Sequence, residues 1–129
     1  MSVAVLNMAR VLDESAPGRA GAADLKAAWL QKRDQYDRAM KRLGAGAHNP
    51  NHPGAQELAA MDTESQQELG ELRNAMIKRV LDQARVHVDA LCKERKIAVV
   101  LDSNTIFQLG LPEADITSDV IQRLDAGGK

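Results

Sequence analysis

The longest regular pattern of hydrophobic positions in this chain runs through residues 56–96. Apolar or small side chains recur there every three or four residues, at Leu69, Leu72, Met76, Val80, Ala84, Val88 and Leu91. This spacing is typical of one face of an α-helix. A helix of that length would extend about 60 Å, at ~1.5 Å per residue. Because its apolar stripe needs a cover, the pattern predicts a partner helix.

A second helical pattern supplies that partner in residues 19–43. Its seam positions are separated by three and four residues in turn, at Ala22, Leu25, Trp29, Lys32, Tyr36, Ala39 and Leu43. Residues 44–54, between the two patterns, hold three glycines and two prolines, which end a helix and turn the backbone. The sequence therefore predicts a long antiparallel helical hairpin, residues 19–96, with its tip at residues 44–54.

Short apolar runs lie on both sides of the hairpin. Residues 3–8 and 97–101 are rich in β-branched side chains and predict strands, and residues 105–109 are a third candidate. Ser15 or Asp13 is placed to cap the first helix, and Thr117 to cap a final helix over residues 118–124. We predict an α+β fold in which residues 1–18 and 97–129 form a small β-sheet body and residues 19–96 form an arm.

The predicted body is thin for a chain that stands alone. Three short strands and one short helix bury little surface, and aromatic residues make up only 2% of the chain. Association is the natural remedy, because strands from several chains can complete one apolar body. The sequence therefore predicts an oligomer.

Charge and composition narrow the class of partner. The 17 basic and 18 acidic residues nearly balance, which argues against nucleic acid as the main ligand. No apolar run approaches the ~20 residues of a membrane-spanning helix. Met1 and Ser2 lead at once into an apolar strand without the pattern of a signal peptide. We expect either a cytosolic protein or a chain whose leader has been removed.

Candidate chemistry is sparse. His48 and His52 lie in the glycine- and proline-rich tip, where their spacing fixes no metal geometry, and His87 and Cys92 are five residues apart and share a helix face poorly. Asp102 ends a strand but is followed by no phosphate-binding loop. Ser/His/Asp order, CxxC, HExxH and P-loop motifs are missing from the sequence. We expect no enzymatic activity, no cofactor and no metal site.

Several side chains of the predicted arm are suited to contact with an apolar partner. Methionine adapts to varied surfaces, and the helix over residues 19–43 carries seven basic against three acidic side chains. The plainer interpretation is that the aromatic and methionine side chains fill the seam of the hairpin, and helical spacing favours it. The candidates for contact with such a partner are Trp29, Arg33, Met40, Met61 and Met76.

The two ends of the chain resemble one known family. The stretches VAVLNMARVLDESAPGRA at residues 3–20, IAVVLDSNTIFQLG at 97–110 and ADITSDVIQRLD at 114–125 are similar to the Skp/OmpH family of periplasmic chaperones for outer-membrane proteins. The last stretch is the most specific, because Asp115-Ile116-Thr117 followed by Val120, Ile121 and Leu124 fits the motif that closes the chain in that family.

The resemblance implies a jellyfish-like homotrimer in the periplasm. Its β-sheet body would carry helical arms that enclose unfolded outer-membrane or envelope proteins without ATP. The resemblance does not decide whether the protein also contacts a membrane surface. The hypothesis from a different class is a structural coiled-coil oligomer, or an adaptor that binds one folded partner. The shared body would be built from the apolar residues Val3, Val5, Leu6, Ile97, Val99, Val100, Leu101 and Phe107.

Overall fold

The chain is mostly helical and has one small β-sheet. The computed structural model describes residues 2–44, 46–47, 49–106 and 108–127. In chain order its elements are β1 (Ser2–Leu6), α1 (Met8–Glu14), α2 (Ala16–Leu43), α3 (Ala55–Arg95), β2 (Ile97–Asp102), two short 3₁₀ turns (Ser103–Thr105 and Pro112–Ala114) and α4 (Thr117–Gly127).

The sheet joins the two ends of the chain. β1 and β2 pair in parallel, with Val3 opposite Val99 and Val5 opposite Leu101. Parallel strands need a long crossover connection, and α1, α2 and α3 provide it. The backbone carbonyl of Val5 also accepts a hydrogen bond of 2.9 Å from the N–H of Ile116. The prediction that both chain ends build one small sheet is confirmed.

The described part of residues 105–109, which leaves out residue 107, does not form the predicted third strand. The Asp102 side chain accepts a hydrogen bond of 3.1 Å from the backbone N–H of Asn104, and this turn starts the 3₁₀ segment Ser103–Thr105. Local side-chain capping of this kind competes with strand pairing. Phe107, which we assigned to the body, lies outside the described residues.

The first strand is shorter than predicted, and a helix follows it. The Asn7 side chain accepts a hydrogen bond of 3.1 Å from the backbone N–H of Arg10, so Asn7 caps α1. Ser15 then closes α1 and opens α2: its N–H donates to the carbonyl of Val11, and its hydroxyl accepts from the N–H of Gly18. The capping role of Ser15 is confirmed, but α2 begins at Ala16 rather than near residue 19.

The start of α4 explains the Asp-Ile-Thr motif. Asp115 accepts hydrogen bonds from the backbone N–H and the hydroxyl of Thr117, while the Thr117 hydroxyl accepts one of 2.8 Å from the N–H of Asn7. Ile116 between them is 1% exposed. The motif therefore fixes α4 to the end of β1, and each of its three residues makes a contact or is buried there.

Two compact units can be distinguished. Unit 1 comprises the described residues of Met1–Ala22 and Met76–Lys129, and unit 2 comprises those of Ala23–Ala75. Unit 1 has one apolar core that unites β1, α1, the C-terminal half of α3 and α4. Its buried members are Ala4, Leu6, Val11, Val80, Ala84, Leu91, Ile116, Val120, Ile121 and Leu124.

Ion pairs and one residue in a left-handed backbone conformation stabilise the end of α3 in unit 1. Arg123 donates two hydrogen bonds of 2.7 and 2.8 Å to Glu94, and Arg95 pairs with Asp119 at 2.8 Å. These contacts tie α4 to the end of α3. Lys96 has a φ of 56°, and this left-handed conformation after the last turn ends α3 and directs the chain into β2.

Unit 2 is held by a smaller apolar cluster and by ion pairs between its two helical segments. Ala39, Ala47 and Leu58 are buried, and Tyr36, Met40, Leu43 and Met61 are partly buried against them. Lys32 pairs with Glu68, and Arg42 pairs with Glu57 at 2.8 Å. Helix α3 passes through Thr63 without a restart. Gly44, with a φ of 95°, ends α2 within the predicted tip.

Candidate interaction surfaces

One face of the sheet is apolar and is covered in part. Alternation places Val3 and Val5 on one face of β1, and the register adds Val99 and Leu101 from β2. Val3, Val99 and Leu101 are 40%, 41% and 38% exposed, whereas Val5 is 3% exposed. We call Val3, Val99 and Leu101 the outer sheet face. Because these three aliphatic side chains are neighbours in the sheet register, we treat the outer sheet face as a candidate interaction surface.

The other predicted body residues lie on the inner side of unit 1. Leu6 is buried in its core, and Ile97 and Val100 pack against that core while partly exposed. The residues that we predicted to build a shared body therefore divide into a group that the chain covers itself and a group that it leaves open. Among the described residues, β2 has β1 as its one strand neighbour, so its second edge carries no strand.

An apolar cleft of about 270 Å³ opens beside β2. The aliphatic side chains of Leu81, Val88 and Val100 line it, and the acidic end of the strand, Asp102, lies at its border. All of its lining residues belong to unit 1. The cleft and the outer sheet face meet at Leu101, which belongs to both.

A second cleft of about 270 Å³ lies within unit 2. Helix α2 lines it with Trp29, Lys32, Arg33 and Tyr36, and helix α3 lines it with Asp62, Ser65, Gln66 and Leu69. We call it the Trp29 cleft. Trp29 is 48% exposed, and the Arg33 guanidinium carbon lies 5.4 Å from the centroid of its ring.

Sequence reasoning singled out Trp29 and Arg33 as contact candidates, and of the α3 residues that face them it named Leu69, as part of the apolar stripe, but not Asp62, Ser65 or Gln66. The missed signal was a shared spacing, because each helix contributes positions i, i+3, i+4 and i+7, which lie on one helical face. On α2 these positions carry large or charged side chains, and on α3 three of the four are polar. A search for apolar stripes alone passes over such a face.

The three methionines proposed for client contact occupy two different environments. Met40 and Met61 are partly buried against the small cluster of unit 2. Met76 belongs to unit 1, where it packs against the core. A Cβ added at Gly21 would lie 2.1 Å from Cγ of Met76, so this methionine fits against a glycine surface.

Two of the residues considered for chemistry, His52 and Cys92, can be described by their surroundings. His52 accepts a hydrogen bond of 2.9 Å at Nδ1 from the N–H of Gly54, and Cys92 is half-buried. His48 lies outside the described residues. Across residues 2–44, 46–47, 49–106 and 108–127, no three His, Cys, Asp or Glu side chains come close enough to hold a metal ion.

Shifts of pKa follow surface ion pairs. A hydrogen bond from Arg123 lowers the pKa of Glu94, and one from Arg10 lowers the pKa of Glu14. Lys78 lowers the pKa of Asp82 in the same way. Each carboxylate is stabilised in its charged form by a cation beside it, so these shifts reflect ion pairing on exposed helices and do not mark a proton-transfer site.

The architecture of this protein, a helical chain whose described ends meet in a small parallel sheet, has known counterparts. A sequence model of the outer membrane protein (OmpH-like) family matches residues 54–124. That range covers more than half of the 129 residues, so the chain belongs to the OmpH-like family. No curated protein matches.

A solved structure shares the fold. The crystal structure of a candidate outer membrane chaperone (OmpH-like) from Caulobacter crescentus CB15 is 23% identical, with a TM-score of 0.62. The alignment covers 97% of this chain and 84% of that one. Among the described residues, none of the helices combines the length and the apolar character that crossing a bilayer requires.

Proposed function

We propose that this protein is an ATP-independent holdase chaperone that sequesters unfolded outer-membrane or envelope proteins. Membership in the OmpH-like family carries the proposal, and the likeness to an OmpH-like structure over nearly the whole chain supports the fold on which it depends. Mechanistically, weak apolar and charged contacts would hold a client apart from other clients. No nucleotide or covalent step is needed for such a mechanism.

The outer sheet face supports an oligomeric body. Val3, Val99 and Leu101 would be covered by a second copy of the chain, because identical apolar faces around a symmetry axis close on themselves. The open edge of β2 and the apolar cleft beside it offer further surface for the same contact. Following the family, we propose that three copies close the body as a homotrimer.

Unit 2 would supply the distal part of the arm. Within it, Lys32 pairs with Glu68, whereas Arg42 lies farther along α2 and pairs with Glu57, which is earlier on α3. Partners that run in opposite directions along the chain support an antiparallel hairpin of helices. Three such arms would border a cavity in which a client is held, with residues 44–54 at the tips and residues 1–18 and 97–129 in the body.

The holdase activity is tested by diluting a urea-denatured β-barrel membrane protein into buffer and following its aggregation by light scattering. We expect the purified chain to suppress aggregation without ATP and to saturate near three chains per client. Absence of suppression at excess chaperone would overturn the proposal and favour an adaptor that binds a folded partner. A folded soluble protein serves as the control client and should not be bound.

The oligomeric body is tested at Val99. We expect Val99→Asp to dissociate the oligomer at micromolar concentration, because a carboxylate buried in an apolar interface loses its hydration. The matched control is Val86→Asp, since Val86 is a 66% exposed valine on α3. Multi-angle light scattering measures the mass, and a monomeric wild-type chain, or a V99D variant that stays trimeric, would overturn this part of the proposal.

A periplasmic location goes with this function, since unfolded outer-membrane proteins pass through that compartment. Fractionation of cells that express the natural gene, with immunodetection of the chain, tests it. Recovery in the periplasmic fraction is the expected outcome. Recovery in the cytosol would not contradict the chaperone mechanism, but it would rule out unfolded outer-membrane proteins as its clients.

A further inference from the structure

Two of the chain's three aromatic residues meet at one place. The sequence has a single Trp, a single Tyr and a single Phe, and Trp29 and Tyr36 both line the Trp29 cleft. In a chain so poor in rings, their convergence in unit 2 sets this surface apart. Trp29 remains 48% exposed there, so its ring is available to a ligand.

The cleft has the size and the walls for a ring. Its volume is about 270 Å³, and an apolar cavity of about 150 Å³ is enough to bind benzene. The rings of Trp29 and Tyr36 and the side chain of Leu69 give it apolar surface. Aromatic pairs in offset or edge-to-face contact gain about 0.5–1.5 kcal/mol beyond the burial of area.

The charges at the rim are not equivalent. Lys32 is engaged by Glu68, and Asp62 accepts a hydrogen bond of 3.2 Å from the amide of Gln66. Arg33 makes no ion pair with any of the described residues, and its guanidinium lies over the Trp29 ring. At the rim, the guanidinium of Arg33 can therefore donate hydrogen bonds to a carboxylate that lies beside a bound ring.

We propose that the Trp29 cleft is a binding subsite for an aromatic side chain of an extended polypeptide, with an acidic residue next to the aromatic one. The ring would enter between Trp29 and Tyr36, and Arg33 would pair with the neighbouring carboxylate. This inference rests on the proposed function, because it names the class of client segment that the arm takes. It assigns selectivity to a chaperone arm that would otherwise hold any apolar chain.

Trp29 itself provides the measurement. Because it is the only tryptophan, the intrinsic emission of the full chain reports on this cleft alone when the ligand contains no tryptophan. The probes are three end-blocked peptides of Ser, Thr and Gly that differ at two central positions, which are Phe-Asp, Ala-Asp and Phe-Asn. We expect a saturable change of Trp29 emission with Phe-Asp and no change with Ala-Asp.

The role of the cation is tested by the third peptide and by one variant. We expect Phe-Asn to bind about two- to fivefold more weakly than Phe-Asp, as for one exposed charge interaction. Arg33→Gln should remove that difference. The matched control is Arg38→Gln on the same helix, since Arg38 lies outside the cleft and pairs with Asp34, and it should preserve the difference. Far-UV circular dichroism verifies that both variants stay helical.

The outcomes separate this inference from the holdase. Equal responses to Phe-Asp and Ala-Asp would overturn the aromatic subsite even if the wild-type chain suppresses aggregation. Equal affinities for Phe-Asp and Phe-Asn in the wild type would overturn the role of Arg33. If the chain binds Phe-Asp through Trp29 but does not suppress aggregation, the aromatic subsite is supported and the holdase proposal is overturned.

Discussion

The two units of this protein use one helical stripe in different ways. In unit 1 the stripe of α3 is covered, with Val80, Ala84 and Leu91 at 0–1% exposed. In unit 2 the same periodicity continues to Leu72, which is 40% exposed, and to Leu69, which is half-buried at the edge of a cleft. Helical spacing predicts the helix in both units, but it does not predict what covers each turn.

The number of packing partners explains the difference. Unit 1 brings β1, α1 and α4 to the stripe, so its core closes around ten buried residues. In unit 2 the buried cluster among the described residues consists of Ala39, Ala47 and Leu58, because two helical segments alone cannot enclose a wide face. Regions with few buried apolar contacts open at lower free energy. A unit 2 that opens more readily would suit the proposed contact with varied clients.

The largest effect is expected at Leu91, which is among the largest fully buried side chains and belongs to the core of unit 1. Leu91→Ala should lower the free energy of unfolding by about 2–5 kcal/mol, because it leaves a cavity in a core that cannot collapse around it. Leu58→Ala in unit 2 should lower it by about 2 kcal/mol or less, since the flexible side chains of Met40 and Met61 can move into the space. Urea unfolding followed by circular dichroism measures both.

Both variants must be compared at one protein concentration, because association raises apparent stability. Trp29 emission gives a second readout for unit 2 by itself. If Leu58→Ala proves as damaging as Leu91→Ala, unit 2 is packed as tightly as unit 1, and the contrast between the units is wrong.

Two glycine-to-alanine substitutions, one in each unit, are expected to change the stability of the fold in opposite directions. At Gly18 an added Cβ would lie 1.9 Å from the carbonyl oxygen of Leu12, so Gly18→Ala should destabilise by about 1–3 kcal/mol through overpacking. At Gly70 nothing lies within 4 Å of an added Cβ. Gly70→Ala in the middle of α3 should therefore stabilise by about 0.5–1 kcal/mol. Thermal unfolding of the two variants and the wild type measures the pair.

The sign of each change carries the test. A stabilising Gly18→Ala would mean that α1 does not pack closely on the start of α2. A destabilising Gly70→Ala would mean that a neighbour outside the single chain covers this part of α3, as a second copy would in the proposed oligomer.

The helices and strands could be predicted from the sequence where a single pattern, such as the period of apolar residues, determined them. The period of apolar residues predicted α3 to within a residue of Ala55–Arg95, and β-branched runs at both ends predicted the sheet. The Asp115-Ile116-Thr117 motif marked the closing helix because all three side chains are used in one local arrangement.

Competition between local rules set the limits of prediction. Residues 7–14 continue an apolar run, yet Asn7 caps a helix there, and a single capping side chain decides the outcome over strand propensity. Sequence reasoning named Trp29 and Arg33 as contact candidates but predicted no cleft, because the α3 wall is largely polar and binding faces need not be apolar stripes. Which aliphatic residues of the sheet stay exposed depends on packing against α1 and α4, which no local pattern contains.

The smallest effect concerns the ion pairs of the two units and their dependence on pH. Arg123 donates two hydrogen bonds to Glu94 in unit 1, whereas Arg42 donates one hydrogen bond, of 2.8 Å, to Glu57 in unit 2. Two parallel bonds fix the geometry better than one. We therefore expect Arg123→Gln to destabilise the chain more at neutral pH than Arg42→Gln does.

The pH dependence of the Arg123→Gln difference follows from the lowered pKa of Glu94, whose first cause is the hydrogen bond from Arg123. A carboxyl group with a lower pKa in the folded than in the unfolded state stabilises the fold fully above its unfolded pKa. That contribution is lost as the pH falls through the folded value. The gap in urea midpoint between the wild type and Arg123→Gln should thus be widest near pH 7 and close in acid. A gap that stays constant from pH 7 to acid would show that Arg123 acts through packing of its side chain, and not through its charge on Glu94.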